Sequence, residues 1–236
     1  VAMQRNVPLA SLRRVYKSAS FRRYHPASLA LAFVARSRSP RSEPRVAAHA
    51  APACMPGCLL LSGVFEGPLT GVELFAACDI PDLRQYGVTA YPKGASSGNN
   101  YTFGDGSLRV GQFLYLNRND GFREFFGIAP TVAPLLAGNE TALGTKGDDV
   151  FEVLFNGTVI DTFGEIGVDG TNMSWDFMDG WAYRSSATGP DGTTFALASW
   201  TFGNGAWKRL VDGSWNYFAT NAAADNPMPI GQYSLA

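Results

Sequence analysis

Histidine is nearly absent from this sequence. Only His25 and His49 occur, and both precede residue 50. The rest of the chain therefore has no imidazole for Ser-His-Asp or Cys-His catalysis, and none to ligate a metal. Cysteine is scarce as well: there are three, Cys54, Cys58 and Cys78, and only Cys78 lies well inside the candidate domain. Three thiols without a second Cys-Cys pair form neither a zinc ribbon nor a disulfide framework, so Cys78 is expected to be a small buried side chain. No apolar stretch approaches the roughly 18 residues of a membrane-spanning helix, so no membrane span is expected. A phosphate-cradling GxxxxGK[ST] loop is also missing, and no cofactor is expected.

Acidic residues are missing from one region only. The first 50 residues carry 10 Arg and Lys against one acid, Glu43. The remaining residues hold 9 basic and 19 acidic side chains, a net charge of −10. The overall charge of −1 thus hides a basic leader on an acidic domain. Phosphate binding rests on Lys and Arg, so tight nucleic-acid binding by the domain is not expected. Residues 1–57 read as leader and linker. Their Arg- and Ser-rich, acid-poor texture fits an organelle transit segment. A secretory segment is the other targeting reading, with Arg22 and Arg23 before the apolar patch 29–35 and a small-residue site at Ala48-His49-Ala50. A disordered or mistranslated extension is the third. Residues 58–236 are long enough to bury a sizeable core.

What the domain does contain is β-structure. The clearest stretch is 147–170, where Val150–Phe155 and Thr158–Phe163 flank Asn156-Gly157. Asn-Gly between β-formers is the strongest short-range hairpin signal, because a type I′ turn needs positive φ at both central residues. Further strands are expected at Leu59–Phe65, 71–75, 83–91, 101–103, 112–116, Trp181–Arg184 and 195–202. Phe122, Phe125 and Phe126 have the i, i+3, i+4 spacing of one helical face, and Gly127 and Pro130 end that segment, which predicts one short helix. Short strands punctuated by Gly, Pro and Asn, with almost no helix, indicate an all-β sandwich or barrel.

Leu59–Phe65, then Gly-Val-Glu-Leu-Phe at 71–75 and Asp-Ile-Pro-Asp-Leu-Arg-Gln-Tyr-Gly-Val at 79–88, resemble the opening strands of the lamin-tail domain family. Gly147-Asp-Asp with the Asn-Gly hairpin, and Asp179-Gly-Trp-Ala-Tyr-Arg184 with residues 194–200, resemble its later signatures. The resemblance covers about 59–205 and leaves a C-terminal extension from about 205. It is strongest to versions in secreted bacterial proteins and beside extracellular nucleases. It implies an immunoglobulin-like β-sandwich, an exported or extracellular location, and a non-catalytic interaction module with an unknown protein or polysaccharide partner. The alternative is an accessory domain or fragment of a secreted hydrolase or nuclease.

Three constellations are chemically suggestive. Glu73 and Glu152 sit inside apolar strands and could form a glycosidase-like carboxylate pair; the preferred reading is solvent-facing or edge-bonded glutamates. Asp148, Asp149, Asp161 and Asp169 gather around the hairpin and could offer oxygen ligands to Ca²⁺; solvated turn aspartates are preferred. Of the five tryptophans, Trp181 and Trp200 suit a core, whereas Trp207 and Trp215 flank Lys208-Arg209 and are expected on a ligand-binding surface. Four N-x-S/T sequons occur, at Asn100, Asn139, Asn156 and Asn172, in loops or turns as glycan acceptors would. In a Gly-, Asn- and Thr-rich sequence chance occurrence is the preferred reading, and a bacterial source would make them irrelevant.

Overall fold

The computed structural model describes residues 55–118, 121–128, 135–137 (backbone only) and 146–235. The leader expectations for residues 1–54, and the sequon at Asn139, lie outside the described residues. No helix among the described residues is long and apolar enough to cross a membrane.

The described residues form twelve strands: β1 (Leu59–Phe65), β2 (Gly71–Ala76), β3 (Tyr86–Tyr91), β4 (Asn99–Thr102), β5 (Phe113–Asn117), β6 (Leu135–Ala137), β7 (Val150–Phe155), β8 (Thr158–Phe163), β9 (Trp181–Arg184), β10 (Trp200–Gly203), β11 (Lys208–Val211) and β12 (Ser214–Tyr217). A six-stranded sheet runs β10-β9-β1-β2-β5-β6 and a four-stranded sheet runs β4-β3-β7-β8, with β11-β12 as a separate ribbon. All pairings are antiparallel except β5 with β6. The described residues form an all-β sandwich with one short α-helix, α1 (Phe122–Phe126).

Two apolar clusters explain the layering. Leu59, Leu61, Val64, Val72, Leu74, Leu114 and Leu116 of the large sheet meet Tyr86, Val88, Phe151, Val153 and Phe163 of the small one. The alternate residues Leu60, Phe65, Phe75 and Tyr115 point the other way, into a second cluster with α1, Trp207, Met228 and Tyr233. The large sheet is therefore covered on both faces, and β1 is buried at all seven positions. A strand buried on both faces needs no polar alternation, which is why Leu59-Leu60-Leu61 reads as one apolar run.

The local signals hold. β7 and β8 have the expected bounds, and Asn156 and Gly157 have φ of 48° and 78°. An extra residue, Ile160, bulges β8. Helix α1 starts after Gly121 and ends at Gly127, whose φ of 68° suits a residue without Cβ. Two expected strands are shorter. Residues 83–85 form a 3₁₀ turn capped by the Asp82 carboxylate, so β3 begins at Tyr86. Residues 197–199 form another 3₁₀ turn, so β10 begins at Trp200.

The cysteine expectation is corrected. Cys58 and Cys78 form a disulfide, with Cα atoms 5.0 Å apart. Cys58 sits just before β1 and Cys78 just after β2. The antiparallel register brings Leu59 opposite Ala76, so the two flanks meet. That Cα separation suits the bond, and closing a loop of this length contributes about 3 kcal/mol in the chain-entropy picture.

Candidate ligand-binding surface

The β11-β12 ribbon turns at Asp212-Gly213, with φ of 49° and 78°, a second type I′ signature. Its register pairs Lys208 with Tyr217 and Leu210 with Trp215. Side chains alternate along each strand, so Lys208, Leu210, Trp215 and Tyr217 share one face. That face is open: Leu210 is 60%, Trp215 63% and Tyr217 46% exposed. The Lys208 ammonium lies 5.6 Å from the Trp215 ring centroid and 5.9 Å from that of Tyr217.

The ribbon is held at its base. Asp179, at φ 54°, accepts from Lys208 Nζ at 2.7 Å and from the Tyr217 hydroxyl at 2.6 Å. The Asp179 N–H donates to Glu66 Oε2 at 2.6 Å. Burial pushes the Glu66 carboxyl above its usual range, and burial with the Asp179 carboxylate does the same to the Tyr217 phenol. Trp207 is the correction here. It is 0% exposed, not part of the surface. Its indole donates to Asn221 Oδ1 at 3.0 Å, and its ring packs edge-on against Phe125. It anchors the ribbon, and the ribbon displays Trp215.

The four aspartates do not form one group, and the expectation of solvated turn aspartates is corrected for three of them, since Asp148, Asp149 and Asp161 are buried. Asp148 and Asp169 lie 3.6 and 3.7 Å from Lys93 Nζ. Asp149 accepts the Lys93 N–H at 2.7 Å and the Lys146 N–H, while burial pushes its carboxyl up to about 6. Thus Lys93, held at φ 52°, is the cation at the centre of that group. Asp161 is elsewhere, fully buried between the sheets. Both its oxygens accept from Arg184 Nη2, at 2.7 and 2.8 Å, and it also accepts from the N–H groups of Leu61 and Asp191. Burial drives the Asp161 carboxyl upward and Arg184 opposes this. Because both oxygens face only donors, the carboxylate form fits the site. Arg184 further donates to the Leu61 carbonyl and to Asp191, and stacks 4.6 Å from the Trp200 ring centroid. This pair bolts β8 to β1 and β9. Sequence reading did not single out Arg184. Among the described residues, no group of three or more His, Cys, Asp and Glu side chains is placed to hold a metal.

The two glutamates lie on opposite outer faces of the sandwich and form no pair. Glu152, expected in solvent or at an edge, is buried on an inner strand of the small sheet and accepts from the Tyr91 hydroxyl at 2.6 Å. Glu73, expected in solvent or at an edge, is instead 0% exposed on a central strand. It accepts from Ser62 Oγ at 2.8 Å, Tyr183 OH at 2.7 Å and the Gly231 N–H at 2.7 Å. Burial pushes its carboxyl up to about 7. The Tyr183 hydroxyl in turn accepts from the N–H groups of Gln232 and Tyr233. The C-terminal segment is thereby tied over the outer face of the large sheet, and the perturbed acid is sealed beneath it.

No family model, no curated protein and no solved structure matches this chain.

Proposed function

We propose that this chain is a non-catalytic binding module of lamin-tail type, exported from the cytoplasm, and that the Leu210/Trp215/Tyr217 face of the β11-β12 ribbon takes a neutral polysaccharide. The exposed face carries this reading. Three large apolar side chains lie side by side on a ribbon fixed by Asp179 and Trp207. Flat aromatic rings with a polar tip suit contact with the apolar faces of sugar rings, and they cost little side-chain entropy on binding. Lys208 is already neutralised by Asp179, so the face offers no free cation for an anionic polymer. A domain charge of −10 opposes polyanions as well. The perturbed carboxyl of Glu73 supports the non-catalytic part, because its oxygens are taken up by internal donors. The Cys58–Cys78 disulfide supports export, since such bonds persist in oxidising compartments.

The test is retention of the full chain on insoluble neutral glucan and chitin, with Trp215→Ala alongside. The expected outcome is retention of the wild type and loss of more than about 1 kcal/mol of binding in the variant, with an unchanged melting temperature. Failure to bind any neutral polysaccharide, or binding indifferent to Trp215, overturns the reading.

A further inference from the structure

We propose that Asn156 is an N-linked glycosylation site whose first sugar sits in the adjoining cavity on the outer face of the small sheet. The inference rests on the exported reading above, and it adds a covalent modification to it.

Three sequons fall within the described residues, and each exposes both its asparagine and its Ser or Thr: Asn100 with Thr102, Asn156 with Thr158, and Asn172 with Ser174. Of these, Asn156 alone combines two features, since Asn172, at φ 62° with its N–H on Asp176, shares only the first and Asn100 shares only the second. Asn156 stands at the tip of a type I′ turn, where Gly157 has open space around it. Its N–H donates to the Gln85 carbonyl at 2.7 Å, while its carboxamide makes no hydrogen bond to the described residues. Asn100, by contrast, accepts from Thr89 Oγ1 at 2.6 Å.

The second feature is the cavity. It has a volume of about 200 Å³, and Asn156 and Gly157 line it together with Arg84, Gln85, Leu154 and the other sequon's Asn100 and Thr102, whose asparagine is already engaged by Thr89. That is below the roughly 300 Å³ at which drug-sized sites begin, so it suits a single ring. The small sheet makes the hollow: Gly87 lies between Leu154 on β7 and Thr102 on β4 and has no side chain to fill it. Leu154 offers apolar contact, and Arg84 and Gln85 offer donors to hydroxyl and acetamido oxygens. A sugar there also shields β4, the exposed edge of the sheet, from pairing with another chain.

The chemistry needs a lipid pyrophosphate-linked oligosaccharide and a transferase in the exporting compartment. The Asn156 Nδ2–C1 bond forms as the C1–O bond to the pyrophosphate breaks. The departing lipid pyrophosphate carries the electron pair, and the Nδ2 proton is lost to the transferase's base. No oxidant or reductant is involved. The compartment that glycosylates is also one in which the Cys58–Cys78 bond persists.

The experiment takes the full chain from the medium of its native source. The protein is treated with peptide N-glycosidase in ¹⁸O-labelled water, digested, and the Asn156 peptide is read by mass spectrometry. The expected result is conversion of Asn156 to ¹⁸O-labelled Asp only in the presence of the glycosidase, with an enzyme-free incubation in the same water to exclude spontaneous Asn156-Gly157 deamidation. The conversion is lost in Thr158→Val, which keeps a β-branched residue in the strand but destroys the sequon. An unmodified Asn156 in secreted, disulfide-bonded protein overturns the glycan and leaves export standing. Cytosolic protein with free Cys58 and Cys78 thiols overturns both.

Discussion

Raising the pH through the neutral range should destabilise this protein, and Glu73 should be the reason. Its carboxyl is lifted from 4.5 to about 7, with burial as the first cause. The folded protein therefore holds a proton that the unfolded chain releases. The resulting stabilisation is full below pH 4.5 and is lost as the pH rises through about 7. A shift of this size is worth about 3 kcal/mol, a large share of the stability of an ordinary domain. The geometry provides for the proton. Ser62 Oγ lies 2.8 Å from Glu73 Oε1 and 3.2 Å from the Glu73 carbonyl. When Glu73 is protonated, Ser62 can accept from the acid and donate to that carbonyl, so both forms stay hydrogen-bonded.

The decisive comparison is wild type against Glu73→Gln by urea unfolding from pH 5 to 8. Asp149 and Glu66 are also raised by burial, so the wild-type profile alone mixes several groups. The difference between the two proteins isolates Glu73. The glutamine amide must face the Gly231 N–H or give up another partner, and a mismatched buried donor costs about 1–3 kcal/mol. The variant should start weaker at pH 5, and the gap should close or reverse by pH 8. Parallel pH profiles would refute the titration argument. A wild type that gains stability relative to the variant as the pH rises would refute its sign.

Three other perturbations follow from the same geometry. Arg184→Met leaves the Asp161 carboxylate buried without its cation and should cost about 3–5 kcal/mol in urea unfolding, whereas a loss under 1 kcal/mol would mean that water reaches the site. Reducing the Cys58–Cys78 disulfide, or replacing both with Ala, should cost about 3 kcal/mol; a melting temperature indifferent to reductant contradicts that bond. Gly157→Val forces a β-branched residue to φ 78° at an open site, so its cost is backbone strain alone, about 1–2 kcal/mol by thermal melting, and a neutral result would mean that the turn is not type I′.

The features legible in the sequence are those whose causes lie within a few residues. Asn156-Gly157 dictates its hairpin through backbone φ, and Phe122, Phe125 and Phe126 dictate α1 through helical spacing. The features that escaped depend on partners far along the chain. Asp161 accepts from Leu61 across 100 residues, and Glu73 accepts from Gly231 across 158. No local pattern distinguishes an aspartate that bolts two sheets from one that sits in a turn. The Cys58–Cys78 bond is an intermediate case, visible only once β1 and β2 are recognised as an antiparallel pair whose flanks must meet.

Trp207 shows that the distant burial was nevertheless constrained. β1 carries Leu59-Leu60-Leu61 without alternation, and β5 alternates Phe113 and Tyr115 with Leu114 and Leu116. Strands of this kind are apolar on two faces. A four-stranded partner sheet covers only one of them. Helix α1 supplies three phenylalanines for the other, which is too little for a face that includes Leu60, Phe65, Phe75 and Tyr115. Leaving the remainder in water would expose a large apolar patch. The described chain after β10 carries further large apolar side chains, Trp207, Met228 and Tyr233 among them, and these close the second cluster. Once they are committed to that cover, the β11-β12 ribbon has no sheet beneath its other face. Trp215 and Tyr217 remain in solvent because the core is already complete without them.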